Sequence, residues 1–243
     1  MPILEGRGIS VAFGGLLALR GVDVAIEERQ VVGLLGPNGS GKSTLFDVLG
    51  GLLTPTAGEV WFRGERVTGR PPWVMGRLGL GRTFQIPRPF AGLSVLDSVL
   101  VGVTFRRRDR YRRPADRRRE AERLLALVGL GDKAGARATE LSLGQMKRLE
   151  LATALSSRPS LLFLDELASG LSPRGREDVL LFYGRLRERG LTIFAIEHSF
   201  GVLARVADRM LVLDQGQIVA DGSPAAVLAS PRVAEAYLGE EDP

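Results

Sequence analysis

The chain has 243 residues, 44% hydrophobic and 25% charged, a balance that predicts a soluble globular protein of one or two domains with a real core. It has no cysteine and one histidine, which excludes a disulfide scaffold, a thiolate nucleophile and a multi-histidine zinc centre. The net charge of +5 suggests nucleic acid, but the stretch 106–119 holds nine Arg and two Asp, and the rest of the chain sums to −2. Only three of the 33 cationic side chains are Lys, so each Lys position carries information. No apolar run approaches the length of a membrane span, and the first residues lack the features of a signal peptide, so a cytoplasmic location is expected.

In chain order, residues 9–13 and 22–26 alternate and predict strands, and 31–35 is a short buried strand. A glycine-rich run at 36–44 opens an apolar helix reaching about residue 53, where Thr54-Pro55-Thr56 stops it. A hairpin is expected over 59–67, turning at Gly64, and then a strand over 82–85. From 94 to about 155 the period becomes helical, with Ser94 and Asp116 as N-caps and a helix over 120–130. Strand–helix alternation then resumes: strand 160–165, helix 173–189, strand 191–197, a short helix, a hairpin over 209–221 and short terminal helices. That alternation predicts a parallel sheet with covering helices, interrupted by a helical block.

Gly36-Pro37-Asn38-Gly39-Ser40-Gly41-Lys42-Ser43, followed by Thr44, fits G-x-x-x-x-G-K-[ST] without a mismatch. Glycines let the backbone curl so that several N–H groups face one oxyanion, and the following helix adds its positive end. Lys42 can place a charge on the β- and γ-phosphates, and the Ser43 hydroxyl can ligate Mg²⁺. Residues 161–164 form an apolar strand ending in Asp165 and Glu166. Asp165 suits a water-mediated Mg²⁺ contact, and Glu166 can hold the attacking water and take its proton. No N-K-x-D guanine reader occurs, which favours adenine; Phe13 is the candidate stacking platform, with a core aromatic as the competing reading. Ser142 and Gln145 form a capping box that equally makes an anion site with Gly144 at the helix start. His198 follows a strand end, where such sheets bind ligands.

Taken together, the chain resembles the nucleotide-binding subunit of an ABC transporter over essentially its full length. The motifs fall in the family's order: Phe13, the loop 36–43, Gln85, the signature 141–145, the carboxylates 165–166 and His198. The resemblance implies a P-loop NTPase core of α/β class with an N-terminal antiparallel β-subdomain and an inserted α-helical subdomain. As a single domain over 1–243, it divides at 1–93, 94–157 and 158–243. It also implies ATP and Mg²⁺ as cofactors. Gln85 would sense Mg²⁺ and the water and link the site to the membrane partner. Ser142 and Gly144 would contact the γ-phosphate held by a second, identical or paralogous ATPase packed head to tail, and His198 would hold the γ-phosphate of its own site.

Three departures stand out: Leu143 in the middle of the signature, Leu167 after the catalytic Glu where Pro is usual, and Ser172 where the D-loop usually ends in Asp. Residues 75–85 and 231–240 are similar to one of the two ATPases of branched-chain amino acid importers, a pattern shared in large part by urea and short-amide importers. The implied partners are transmembrane permease subunits and, indirectly, a periplasmic binding protein. The implied place is the cytoplasmic face of the inner membrane, bound peripherally. The Arg-rich stretch 106–119 reads as a solvated tip or an electrostatic contact with anionic lipid. A soluble ATPase acting on nucleic acid or ribosomes is the rival reading; with one aromatic in that stretch and no groove-reading element, nucleic acid is the weaker partner.

Overall fold

The structure is a computed structural model that describes residues 1–87, 89–105, 113–197, 199–231 and 233. Strands β1 (Leu4–Phe13) and β2 (Leu16–Ile26) form an antiparallel hairpin paired from Leu4↔Ile26 to Phe13↔Leu16, with register shifts between Gly6 and Ile9, Ile9 and Val11, and Val11 and Ala12. On its other side β1 pairs with β4 (Ala57–Phe62), which turns at Gly64 into β5 (Glu65–Arg66), giving the order β2-β1-β4-β5. The second sheet is built around β3 (Val31–Leu35), β6 (Leu80–Arg82), β7 (Leu161–Asp165), β8 (Thr192–Ile196), β9 (Arg209–Asp214) and β10 (Gln217–Gly222). Its order is β10-β9-β3-β8-β7-β6, parallel throughout except for β10 at the edge.

Both faces of this sheet are buried, so its inner strands read as continuous apolar runs rather than as alternation. Val32, Leu34, Phe163, Phe194 and Ile196 face one core, shared with β1, β2 and helix α1 (Lys42–Leu49). There Phe46 of α1 lies 4.7 Å from both Phe163 and Phe194, ring centre to ring centre. Val31, Leu35, Leu162, Leu164, Ile193 and Ala195 face the other core. That core takes in α3 (Val95–Phe105), α4 (Pro114–Leu127), α5 (Leu143–Ser156) and α6 (Pro173–Glu188). The remaining helices, α2 (Pro72–Leu78), α7 (Phe200–Ala204) and α8 (Pro224–Leu228), are short.

Several boundaries differ from the sequence expectations. Helix α1 ends at Leu49 rather than near residue 53, because Gly50 caps it and Gly51 turns left-handed at φ 78°. The strand expected over 82–85 lies at Leu80–Arg82; Thr83 still donates to the Phe163 carbonyl, and the chain then leaves the sheet. Asp116 is not an N-cap. Pro114 starts α4 after Arg113, and Asp116 sits in the first turn, where a carboxylate still suits the helix dipole. Ser94 does cap α3, accepting from the Asp97 amide at 3.0 Å.

Candidate nucleotide site

The parallel strands end on one edge of the sheet, the edge at which open α/β sheets hold ligands. Leu34 and Asp165 both stand in register with Ile196, so the exits of β3, β8 and β7 lie level. With strands about 4.8 Å apart, the carboxylates on β7 sit on the order of 10 Å from the loop that follows β3.

The loop 36–41 holds its curl through three glycines with positive φ: Gly36 at 154°, Gly39 at 77° and Gly41 at 105°. A Cβ on Gly36 would fall 2.0 Å from the Leu213 carbonyl oxygen, and one on Gly41 would fall 2.7 Å from that of Ala18. Gly39 faces open space, so only its backbone angle demands glycine. Lys42 heads α1, is 7% exposed, and donates to the carbonyls of Gly36 at 2.6 Å and Pro37 at 2.8 Å. The helix start has no side-chain cap and no acidic residue in its first turn, so its leading N–H groups are available to an anion. The Ser40 hydroxyl is buried and has no hydrogen-bond partner among the described residues. This cradle fits a polyphosphate.

Phe13, at the end of β1, is 51% exposed and therefore not a core aromatic. The backbone of Ala18, two residues beyond its strand partner Leu16, touches Gly41, which brings the β1–β2 hairpin tip beside the loop.

At the end of β7, Asp165 and Glu166 are each 6% exposed. The Asp165 amide donates to the buried Thr83 hydroxyl at 3.1 Å, and Arg82 approaches the Asp165 carboxylate at 3.9 Å. Glu166 adopts φ 50°, a left-handed backbone that an L-residue holds at a cost of about 1–3 kcal/mol. Its amide donates to the Ile196 carbonyl at 2.9 Å, which fixes the turn against β8. Gln85 reaches across from the segment after β6, its side-chain amide donating to the Glu166 carboxylate at 3.0 Å. The residues that would hold a cation offer hard oxygens: the Ser43 hydroxyl, the Asp165 carboxylate and the Gln85 amide oxygen. That set suits Mg²⁺, which commonly takes one or two carboxylates plus phosphate oxygens.

The signature stretch forms the expected capping box. Ser142 accepts from the Gln145 amide at 3.4 Å, while the Gln145 side chain accepts from the Ser142 amide at 2.9 Å. Ser142 and Leu143 are exposed at this helix start. His198 lies outside the described residues.

Sequence reasoning missed Lys147, Thr83 and Glu197. Lys147 donates to the carbonyls of Glu166 at 2.6 Å and Ser169 at 2.7 Å. The scarcity of Lys was the available signal. Burial pushes the Glu197 carboxyl up to about 7, against the pull of the Ala168 amide and of Lys147. Burial likewise pushes Glu150 up to about 7, against the hydrogen bond from the Phe84 amide. Glu150 lines a groove of about 220 Å³ with Phe84, Pro87, Pro89 and Phe90, on the segment that carries Gln85.

A glycine cradle after the central strand, with paired carboxylates two strands away, defines a P-loop nucleotide-binding protein. The chain belongs to the ABC transporter family, as its ATP-hydrolysing cassette: residues 19–169 match the model of the ABC transporter family. Residues 217–243 match a second model, that of the branched-chain amino acid ATP-binding cassette transporter. It is 39% identical, over 98% of both chains, to the high-affinity branched-chain amino acid transport ATP-binding protein BraF of Pseudomonas aeruginosa. Among solved structures it is similar to the ADP conformation of MJ1267, an ATP-binding cassette of an ABC transporter, with a TM-score of 0.87 and 32% identity. That similarity covers 99% of this chain and 100% of the other. It also resembles the dimeric structure of MJ0796, a bacterial ABC transporter cassette, with a TM-score of 0.83 and 26% identity over 91% of this chain and 98% of that one.

Proposed function

We propose that this chain is the ATPase subunit of a branched-chain amino acid importer, working as one half of a head-to-tail pair of cassettes beneath separate permease subunits. The observation that carries the reading is the Glu166 carboxylate, held at the end of β7 and in hydrogen-bond contact with Gln85 at 3.0 Å. A carboxylate so placed, level with the phosphate cradle, can accept the proton of a water aimed at a terminal phosphate.

In this reading the loop amides of 36–41, Lys42 and Thr44 hold the phosphates. Ser43 and Asp165 take Mg²⁺, which when bound neutralises charge on the β- and γ-phosphates. Gln85 orients Glu166 and the water, and Phe13 stacks on the adenine. Ser142, Gly144 and Gln145 meet the nucleotide of the opposite subunit, for which the dimeric MJ0796 cassette is the supporting likeness. His198 is assigned the γ-phosphate contact of its own site. The groove beside Phe84 and Glu150 adjoins the Gln85 segment, and there we place the permease. The three stretches 1–93, 94–157 and 158–243 are the working parts of the cassette.

No helix among the described residues is long and apolar enough to cross a membrane, so transport rests on the permease. We place the subunit at the cytoplasmic face of the inner membrane, where a periplasmic binding protein delivers solute from the other side. The Arg-rich stretch is described only from Arg113, where it begins α4 and pairs Arg118 with Glu122 at 2.9 Å; residues 106–112 lie outside the described residues.

The test is a pull-down from native membranes with tagged Glu166→Gln protein, ATP and Mg²⁺. Recovery of hydrophobic permeases and a second cassette is expected. Recovery of ribosomes or nucleic acid without permease overturns the transport reading.

A further inference from the structure

The half of the cassette that faces a partner's nucleotide and the carboxylate that serves its own nucleotide are joined within one subunit by a single buried cation. Lys147 stands in the second turn of α5, the helix that opens with Ser142, Leu143 and Gly144. It is 5% exposed, and its ammonium donates to the Glu166 carbonyl at 2.6 Å and to the Ser169 carbonyl at 2.7 Å. Those carbonyls bracket one turn of chain, closed by the Ser169 amide on the Glu166 carbonyl at 3.2 Å. The turn begins with the left-handed Glu166 backbone at φ 50° and runs on to Gly170 at φ 71°. A strained backbone persists only where its surroundings over-determine it. Two charge-assisted hydrogen bonds from a compact three-donor ammonium are such a determinant.

Packing joins the same two segments again. A Cβ on Gly170 would lie 3.7 Å from a Leu143 methyl, and one on Gly144 would lie 3.3 Å from a Leu171 methyl. The start of α5 and the turn 166–171 therefore pack against one another. Burial lowers the Lys147 pKa, while Glu197 after β8, Glu166 and Asp165 at the end of β7, and Glu150 on α5 itself favour its charged form. Burying an ammonium is costly, and the neighbouring carboxylates and the two hydrogen bonds to backbone carbonyls offset that cost.

We infer that Lys147 is a positioning residue: it fixes the Glu166 backbone to α5, so that a displacement of the signature helix against the partner's nucleotide is transmitted to the carboxylate of the same subunit. The inference rests on the reading of Glu166 as the water-activating group. It supplies a route between the two nucleotide sites of a dimer through backbone carbonyls and a lysine, in a chain whose turn ends at Ser172 with no carboxylate.

The experiment is a double-mutant cycle on the purified full chain, with Lys147→Met, Glu166→Gln and both together, following steady-state hydrolysis and binding of a fluorescent ATP analogue. Exposed Lys133→Met serves as the control for loss of a lysine. Misplacing a catalytic group by about 1 Å can cost a hundredfold in rate. Lys147→Met is therefore expected to lower kcat between about tenfold and a hundredfold, with nucleotide affinity changed less than about threefold. In the Glu166→Gln background it should add nothing further, because both act through one group. Hydrogen exchange at the amides 166–169 should quicken in Lys147→Met while that of the loop 36–41 does not change. A kcat within twofold of the parent, or losses that multiply in the double variant, would overturn the proposal. If Glu166→Gln alone leaves hydrolysis intact, the reading of Glu166 fails instead, and the cycle distinguishes the two. Should Lys147→Met not fold, Lys147→Gln, which retains one donor group, carries the same cycle with an intermediate loss expected.

Discussion

The side-chain amide of Gln85 and the carboxylate of Glu166, 81 residues apart in sequence, lie in hydrogen-bond contact at 3.0 Å. Gln85 follows a strand at the sheet edge and is itself exposed, whereas Glu166 is buried at the end of β7. The contact therefore joins a surface segment to the carboxylate to which we assign the attacking water. In the proposed function, a group bound to the Gln85 segment acts on the carboxylate through this hydrogen bond. Replacing the amide by a carboxylate tests this, since contact between two carboxyl groups raises the pKa of one of them. Gln85→Glu should lower kcat at least about tenfold at pH 7 and move the rising limb of the pH–rate profile to higher pH. An unshifted profile would remove the contact from the cycle.

Glu166→Gln keeps the shape of the site and the Lys147 hydrogen bond, which is to the backbone, while removing the proton acceptor. Nucleotide should still bind, and hydrolysis should fall by a factor on the order of a hundred to ten thousand, the range for loss of a general base. With ATP and Mg²⁺ a stable dimer should appear by size-exclusion chromatography. Turnover equal to that of the parent would assign the water to another group.

The glycines of the loop are not equivalent. At Gly36 a methyl group would collide with the Leu213 carbonyl at 2.0 Å, so Gly36→Ala must displace the loop or β9. The expected cost exceeds about 2 kcal/mol and removes ATP binding. Gly39→Ala meets only the backbone cost of φ 77°, about 1–2 kcal/mol, with its side chain in open space. Gly15→Ala, with an ordinary φ and open space, should be within about 0.5 kcal/mol of the parent. Urea unfolding of the three variants would give this ranking directly.

Phe13 stands 51% exposed at the hairpin tip, with its ring open to a ligand. If it stacks on adenine, Phe13→Ala should weaken ATP binding about tenfold, in line with the 1–3 kcal/mol of base–aromatic stacking, and Phe13→Trp should preserve it. A titration with ATP and with inorganic triphosphate separates base from phosphate: only the ATP affinity should respond.

What the sequence conveyed was what depends on local chemistry. The run 36–43 announced its loop because glycine, lysine and serine are each demanded at fixed spacing. The strand 161–165 announced itself because burial on both faces leaves no polar position. The Ser142 capping box was legible for the same reason, as its two partners are three residues apart. Asp116 reads as a cap from sequence, but Pro114, two residues earlier, is a stronger helix starter than a carboxylate is a cap. The strand near residue 82 starts two residues earlier than its sequence suggests, because the apolar signal continues into Phe84, which leaves the sheet. Lys147, Thr83 and Glu197 escaped because their meaning lies in partners more than 15 residues away: the Glu166 carbonyl, the Asp165 amide and the Ala168 amide. No spacing rule encodes such contacts.

Glu197 gives a test of the buried electrostatics that does not depend on nucleotide. Its carboxylate accepts from the Ala168 amide at 3.1 Å and the Tyr183 hydroxyl at 3.5 Å, and it faces Lys147 and Glu166. Burial is the largest influence and raises it from 4.5 to about 7. Between those values the folded chain retains a proton that the unfolded chain gives up, so unfolding releases a proton and a higher pH favours it. The stabilising contribution is complete below about pH 4.5 and is lost as pH rises through about 7. At roughly 1.4 kcal/mol per pH unit, the loss across this window is on the order of 3 kcal/mol. Glu197→Gln keeps an oxygen for the Ala168 amide and has no charge to bury. Its urea midpoint should match the parent near the acid end of the window and exceed it at pH 8, with the two curves separating between pH 5 and 7. Parallel curves across that range would mean that Lys147 already compensates the Glu197 charge in full, and that the carboxylate is ionised throughout.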